Sequence, residues 1–95
     1  MPKLTDAELQ QALAGMPGWS VQAGEIVREF KFKDFVEALG FIAQVGALQE
    51  RADHHATITN TYADVKIALS THSEGGITEK DIDLARKITE RASGA

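Results

Sequence analysis

The stretch Thr57-Ile58-Thr59-Asn60-Thr61-Tyr62-Ala63-Asp64-Val65-Lys66-Ile67-Ala68-Leu69-Ser70-Thr71 holds two runs rich in β-branched residues around a short centre. Thr57 to Tyr62 and Val65 to Thr71 read as strands, because Val, Ile and Thr are stiff at χ1 and suit a pleated surface better than a helix. Ala63-Asp64 falls in the turn between them, which makes the pair a hairpin. In the second run Val65, Ile67 and Leu69 share one face, directed to a core. Lys66, Ala68, Ser70 and His72 fall on the other.

Working outward toward the C-terminus, Gly75-Gly76 reads as a loop and Thr78 as the N-cap of a final helix. Asp81 stands at the third helical position, the place of a capping-box acid, and Ile77 and Ile82 take the positions of a hydrophobic staple. Asp81, Leu84, Ala85, Ile88 and Ala92 share one face of that helix. Toward the N-terminus, Asp34 is the expected N-cap of a long helix running to about Ala52. Phe35, Leu39, Ile42 and Val45 or Gly46 recur there at helical spacing, with Ala38, Phe41 and Leu48 widening the stripe. That stripe is broad enough for a sheet and for a second subunit besides.

Before this helix, Glu25 to Phe32 alternates as a strand, with Ile26, Phe30 and Phe32 on one side, although Arg28 breaks the apolar parity. Trp19 to Gln22 reads as its partner across an Ala23-Gly24 turn. Thr5 and Glu8 form a capping box for a short first helix carrying Leu9 and Leu13, which Gly15, Pro17 and Gly18 stop. The order α-β-β-α-β-β-α predicts an α+β fold, a four-stranded antiparallel sheet with three helices on one face. All 95 residues are expected to form a single domain.

Composition narrows the function classes. The chain has no Cys, so disulfides, thiolate metal sites and Cys nucleophiles are out. Its net charge of −4 argues against a nucleic-acid surface, which needs a basic excess. No apolar run approaches the ~18 residues of a membrane span. The start, Met1-Pro2-Lys3-Leu4-Thr5-Asp6, has no apolar signal region, so a cytoplasmic protein is expected.

The three histidines carry the chemistry that the sequence offers. His54 and His55 follow the long helix, and His72 ends the second strand of the hairpin. The open end of a hairpin brings its flanks together, so His72 is expected near the His54-His55 corner, with Asp81 at the start of the next helix. Imidazoles move protons near neutrality, and a cluster of them with one carboxylate makes an acid/base constellation. Plainer readings stand beside this one. A His pair at a helix C-terminus also suits the macrodipole, and a capping box alone explains Asp81. Yet Asp81 lies on an inward stripe, where a carboxylate needs a partner. Three His and one Asp have the chemistry for zinc, but adjacent histidines usually point apart and no His-x₃-His spacing occurs. Trp19 and the aromatics from Phe30 to Phe35 suit either a pocket for a planar ligand or the core. No Gly-rich phosphate loop and no Ser/His/Asp triad signature is present.

The spacing Glu50, His54-His55, Tyr62, His72, Asp81 closely resembles the signature of the pterin-4a-carbinolamine dehydratases. The surroundings agree: Gly18-Trp19, the segment from Phe30 to Phe35, Thr71-His72, and Gly75-Gly76-Ile77-Thr78 followed by Asp81 and Leu84-Ala85. The likeness runs from about Pro17 to Ile88. One departure is Ala56, which stands where the family commonly has Pro.

The resemblance implies dehydration of 4a-hydroxytetrahydropterin, the carbinolamine left by aromatic amino-acid hydroxylases, to quinonoid dihydropterin during tetrahydrobiopterin recycling. It implies a homodimer or homotetramer and no metal or organic cofactor. It makes His54 and His72 the acid/base pair. His55 would bind the pterin, Asp81 would orient an imidazole or hold the pterin's donors, and Trp19 and Glu50 would lie at or beside the pocket. Some relatives also act as binding proteins, one as dimerisation cofactor of a homeodomain transcription factor, and divergent relatives resemble assembly chaperones for a carbon-fixing enzyme. A non-catalytic module of the same fold is therefore the alternative, and the complete His cluster favours the enzyme.

Overall fold

The computed structural model describes residues 2–92. Three helices, α1 (Asp6–Ala14), α2 (Phe35–Ala52) and α3 (Glu79–Arg91), alternate with four strands, β1 (Ser20–Gln22), β2 (Glu25–Lys31), β3 (Thr57–Thr61) and β4 (Asp64–Leu69). The expected element order and the α+β class are both found. All neighbouring strands are antiparallel, in the order β1-β2-β4-β3, so β4 lies inside the sheet and β3 at its edge.

Alternation along the strands fixes which face is covered. In the β2–β4 register Phe30 pairs with Val65, Arg28 with Ile67 and Ile26 with Leu69, which puts all six on one face. Ile26, Val65, Ile67 and Leu69 are fully buried there, in one cluster with Leu9 of α1, Phe41 and Val45 of α2, and Ile82, Leu84 and Ile88 of α3. Each such aliphatic side chain contributes roughly 1.5–3 kcal/mol of transfer free energy. Arg28, the residue that broke the parity, keeps its place on the covered face by laying its guanidinium over the Phe30 ring, 4.5 Å from the centroid.

The caps fall where the side-chain chemistry put them. Asp34 Oδ1 accepts from Glu37 N at 2.9 Å, and both capping boxes, Thr5/Glu8 and Thr78/Asp81, are closed. Two expectations need correction. Along α2 the buried residues are Ala38, Phe41, Val45 and Leu48, whereas Phe35 and Leu39 are 43% and 47% exposed beside Val36 at 77%. Apolar residues cover more than one side of this helix, and the stripe that starts from small Ala38 is the one that meets the sheet. Second, β4 ends at Leu69, and His72 opens a one-turn 3₁₀ helix, His72–Glu74. Beyond β4 the backbone of Thr71 pairs with Gly76 in both directions (2.8 and 3.3 Å), which folds this turn out as a closed loop.

Candidate acid/base site

The first imidazole is placed by the end of α2. Asp53 takes a left-handed conformation (φ 51°, ψ 45°), which Asp tolerates better than most side chains, and His54 N–H reaches back to Gln49 O at 3.0 Å. The helix therefore stops within one residue and the His pair leaves it at a fixed angle. Gln49 also brackets the pair from the far side, because its Oε1 accepts from Ala56 N at 3.0 Å. That bond uses the backbone N–H of Ala56, which a proline at this position would lack, so a hydrogen bond braces the turn.

Running the β3–β4 register one step past each strand end brings this corner to its partner. Thr57 pairs with Ala68, so the residues before Thr57 come to lie opposite those that follow Ala68. The two imidazoles then diverge, as adjacent histidines were expected to. His54 turns inward, and its Nε2 meets Asp81 Oδ1 at 2.5 Å, with side-chain exposures of 12% and 0%. His55 turns outward, and its Nε2 meets Glu50 Oε2 at 2.5 Å on the surface.

Asp81 fulfils both of the roles that its position allowed, one with each oxygen. Oδ2 accepts from Thr78 N (2.8 Å), closing the capping box, and from Thr71 Oγ1 (2.8 Å). Oδ1 is left for His54. Thr71 and Thr78, buried and in mutual hydrogen bond at 2.8 Å, complete the group. Sequence reasoning missed both threonines as members of the site. The one signal for Thr71 was its place beside His72.

His72 follows Thr71 directly, so it starts one residue from the network that holds His54. It is exposed, and it lines an open cavity of about 490 Å³. The Ala23-Gly24 turn and Thr57 line it as well. Neither His54 nor His55 lines it. Trp19 stands apart from this group. It is buried edge-on to Phe30 and donates its indole N–H to Thr89 Oγ1 at 2.9 Å. Thr89 is eight residues beyond Asp81, about 12 Å along α3. Among the described residues no three His, Asp or Glu side chains gather as a metal-binding set, and no helix is long and apolar enough to cross a membrane.

A small antiparallel α+β domain that holds a buried His–Asp pair beside a second, exposed imidazole has the layout of an acid/base site. Comparison with known proteins gives it a family. The model of the family described as pterin 4 alpha carbinolamine dehydratase matches residues 2–91, and the chain belongs to that family. A protein of Thermomicrobium roseum, provisionally named a pterin-4-alpha-carbinolamine dehydratase, is 47% identical over 98% of this chain and 100% of its own length. One from Rhodopseudomonas palustris with the same provisional name is 48% identical over 90% of this chain and 87% of its own. A crystal structure described as a transcriptional coactivator/pterin dehydratase from Brucella melitensis superimposes with a TM-score of 0.93 at 44% identity, covering 96% of this chain and 99% of that one. A pterin dehydratase-like protein described as a RuBisCO assembly factor in the alpha-carboxysome shares the fold alone, with a TM-score of 0.66 and 19% identity over 81% of this chain and 89% of that one.

Proposed function

We propose that this chain dehydrates a 4a-hydroxytetrahydropterin to the quinonoid dihydropterin, in the cytoplasm and in the service of tetrahydrobiopterin recycling after an aromatic amino-acid hydroxylase. The observation that carries the reading is the buried His54–Asp81 pair one residue away from the loop that presents His72. The reaction breaks the C4a–O bond as an acid protonates the departing hydroxyl. A base takes the N5 proton, and the freed electron pair closes the C4a=N5 double bond, so that water leaves. Two imidazoles, one neutral and one protonated, supply both groups without a metal or organic cofactor. His54 and His72 fill those roles. His55 and Glu50, paired on the surface beside them, bind the substrate's polar edge, and Asp81 orients His54.

The test is a dehydration assay on purified protein with enzymatically generated carbinolamine, run before and after chelation. Turnover that survives chelation is expected. No turnover at all would favour a binding module of the same fold, and loss of turnover with loss of stoichiometric zinc would defeat the metal-free mechanism.

The same reading includes self-association. Phe35, Val36 and Leu39 form an apolar strip on the outer side of α2, and a domain of this size has little other surface to cover it. Sedimentation at micromolar concentration is expected to show a dimer or tetramer, and Leu39→Glu is expected to shift it toward monomer. A parent protein that sediments as a monomer refutes this expectation.

A further inference from the structure

We propose that Thr71 is a positioning residue that couples the two imidazoles. Its hydroxyl aligns the Asp81 carboxylate so that His54 keeps a proton on Nε2 and exchanges protons through Nδ1. Its backbone holds the turn that carries His72. The kinetic part of this inference rests on the dehydratase reading, and the structural part does not.

Counting hydroxyl protons gives the network a direction. A threonine hydroxyl has one proton to donate. Thr71 commits its own to Asp81 Oδ2 at 2.8 Å. In the 2.8 Å contact between the two threonines the donor is therefore Thr78. Thr78 Oγ1 in turn accepts from the backbone N–H of Lys80 at 3.2 Å. Protons thus point one way, from the start of α3 through Thr78 and Thr71 into Asp81. The Thr78 N–H adds a second donor at Oδ2. Two donors leave no room for a carboxyl proton on Oδ2; an ionised Asp81 then presents Oδ1 to His54 as an acceptor, and the ring answers with Nε2–H. Nδ1 is then the nitrogen left to gain and lose a proton.

Burial makes this direction binding. Thr78 and Asp81 have no exposed surface and Thr71 is 7% exposed, so water does not offer a substitute donor. No buried side-chain nitrogen or oxygen among the described residues lacks a partner. A satisfied polar network in such surroundings has one arrangement, and losing a member leaves another group unpaired. The second role of Thr71 runs through its main chain. Its N–H and C=O pair with Gly76, and its C=O also accepts from Glu74 N at 3.0 Å, which closes the 3₁₀ turn that starts at His72. One residue thereby fixes the inner imidazole by its side chain and the outer one by its backbone.

The experiment combines ring ¹⁵N–¹H spectra of His54 with steady-state kinetics on the parent, Thr71→Val and Thr71→Ser. The parent is expected to show His54 protonated at Nε2, with a slowly exchanging Thr71 hydroxyl proton nearby. Valine keeps the volume and removes the donor. It is expected to shift the His54 Nε2–H resonance, as the carboxylate loses one of its two Oδ2 donors, and to lower kcat by roughly two- to tenfold with little change in KM, the scale of one net hydrogen bond. Serine restores both. An Nδ1–H tautomer in the parent, or a valine variant with a parent-like Nε2–H resonance and kcat, overturns the proposal. Should the valine variant not fold, the parent spectrum still decides, because a rapidly exchanging Thr71 hydroxyl overturns the link. A parent without dehydratase activity defeats the functional reading and leaves the spectra to judge the network.

Discussion

Removing His72 as an imidazole, in His72→Ala, is expected to lower turnover by ~10²–10⁴-fold, the usual worth of a general acid or base, while leaving the melting temperature where it was. The ring is exposed at the start of a 3₁₀ turn that backbone bonds hold shut, so the fold loses nothing with it. His54 needs a more careful probe. Alanine there would strand Asp81 Oδ1 in the interior at a cost of about 1–3 kcal/mol, and a fall in activity would mix two causes. His54→Gln keeps an N–H for Asp81 and removes the titratable ring, so it should match the His72 variant in lost turnover with a small stability change. His55→Ala should act chiefly on KM, because its ring is on the surface with Glu50. Circular dichroism melts run beside the dehydration assay separate lost chemistry from lost folding. Turnover within a few-fold of the parent in both His54→Gln and His72→Ala would remove these residues from the acid/base roles.

Much of this arrangement was legible in the sequence because local rules and tertiary demands coincide there. The β3–β4 hairpin announces itself by β-branched alternation, and the N-caps at Thr5, Asp34 and Thr78 by side chains that satisfy helix donors. The divergence of His54 and His55 follows from their adjacency. What was not legible depends on partners distant in sequence. α2 carries apolar residues on more than one side, so periodicity alone does not choose Ala38, Phe41, Val45 and Leu48 over Phe35 and Leu39. The closing of the loop between Thr71 and Gly76 takes His72 off the strand, and no propensity of Ser70 or Thr71 signals that bridge. Gln49 reads as an ordinary helix residue until its side chain is seen to brace Ala56. Thr71 and Thr78 look like a strand end and a cap, and only the burial of Asp81 turns them into a directed chain.

Asp81 is where capping and chemistry meet, and Asp81→Asn separates them. Asparagine is isosteric and its one oxygen remains an acceptor. Thr78 N–H and Thr71 O–H both donate toward the Oδ2 side, so the amide oxygen settles there and the helix keeps its cap. The amide NH₂ then faces His54 Nε2, where two donors cannot meet. The imidazole must accept at Nε2 and carry its proton on Nδ1, the reverse of the parent arrangement. Turnover is expected to fall by ~10²–10⁴-fold, as when the orienting carboxylate of a catalytic histidine becomes an amide and selects the wrong tautomer. The melting temperature is expected to drop by less than about 8 °C, the shift of roughly 1 kcal/mol in a domain of this length. Other substitutions are blunter. Asp81→Ala strips three donors of their acceptor in a site without exposed surface, at about 3–5 kcal/mol, and Asp81→Glu forces a methylene into the same closed site for about 1–3 kcal/mol. Kinetics, melting and the His54 ring spectrum of the asparagine variant together distinguish the two roles. Parent-like turnover with an unchanged tautomer would leave Asp81 as a helix cap and nothing more, whereas a folded, inactive variant with its proton moved to Nδ1 identifies the carboxylate as the group that prepares His54 for proton transfer.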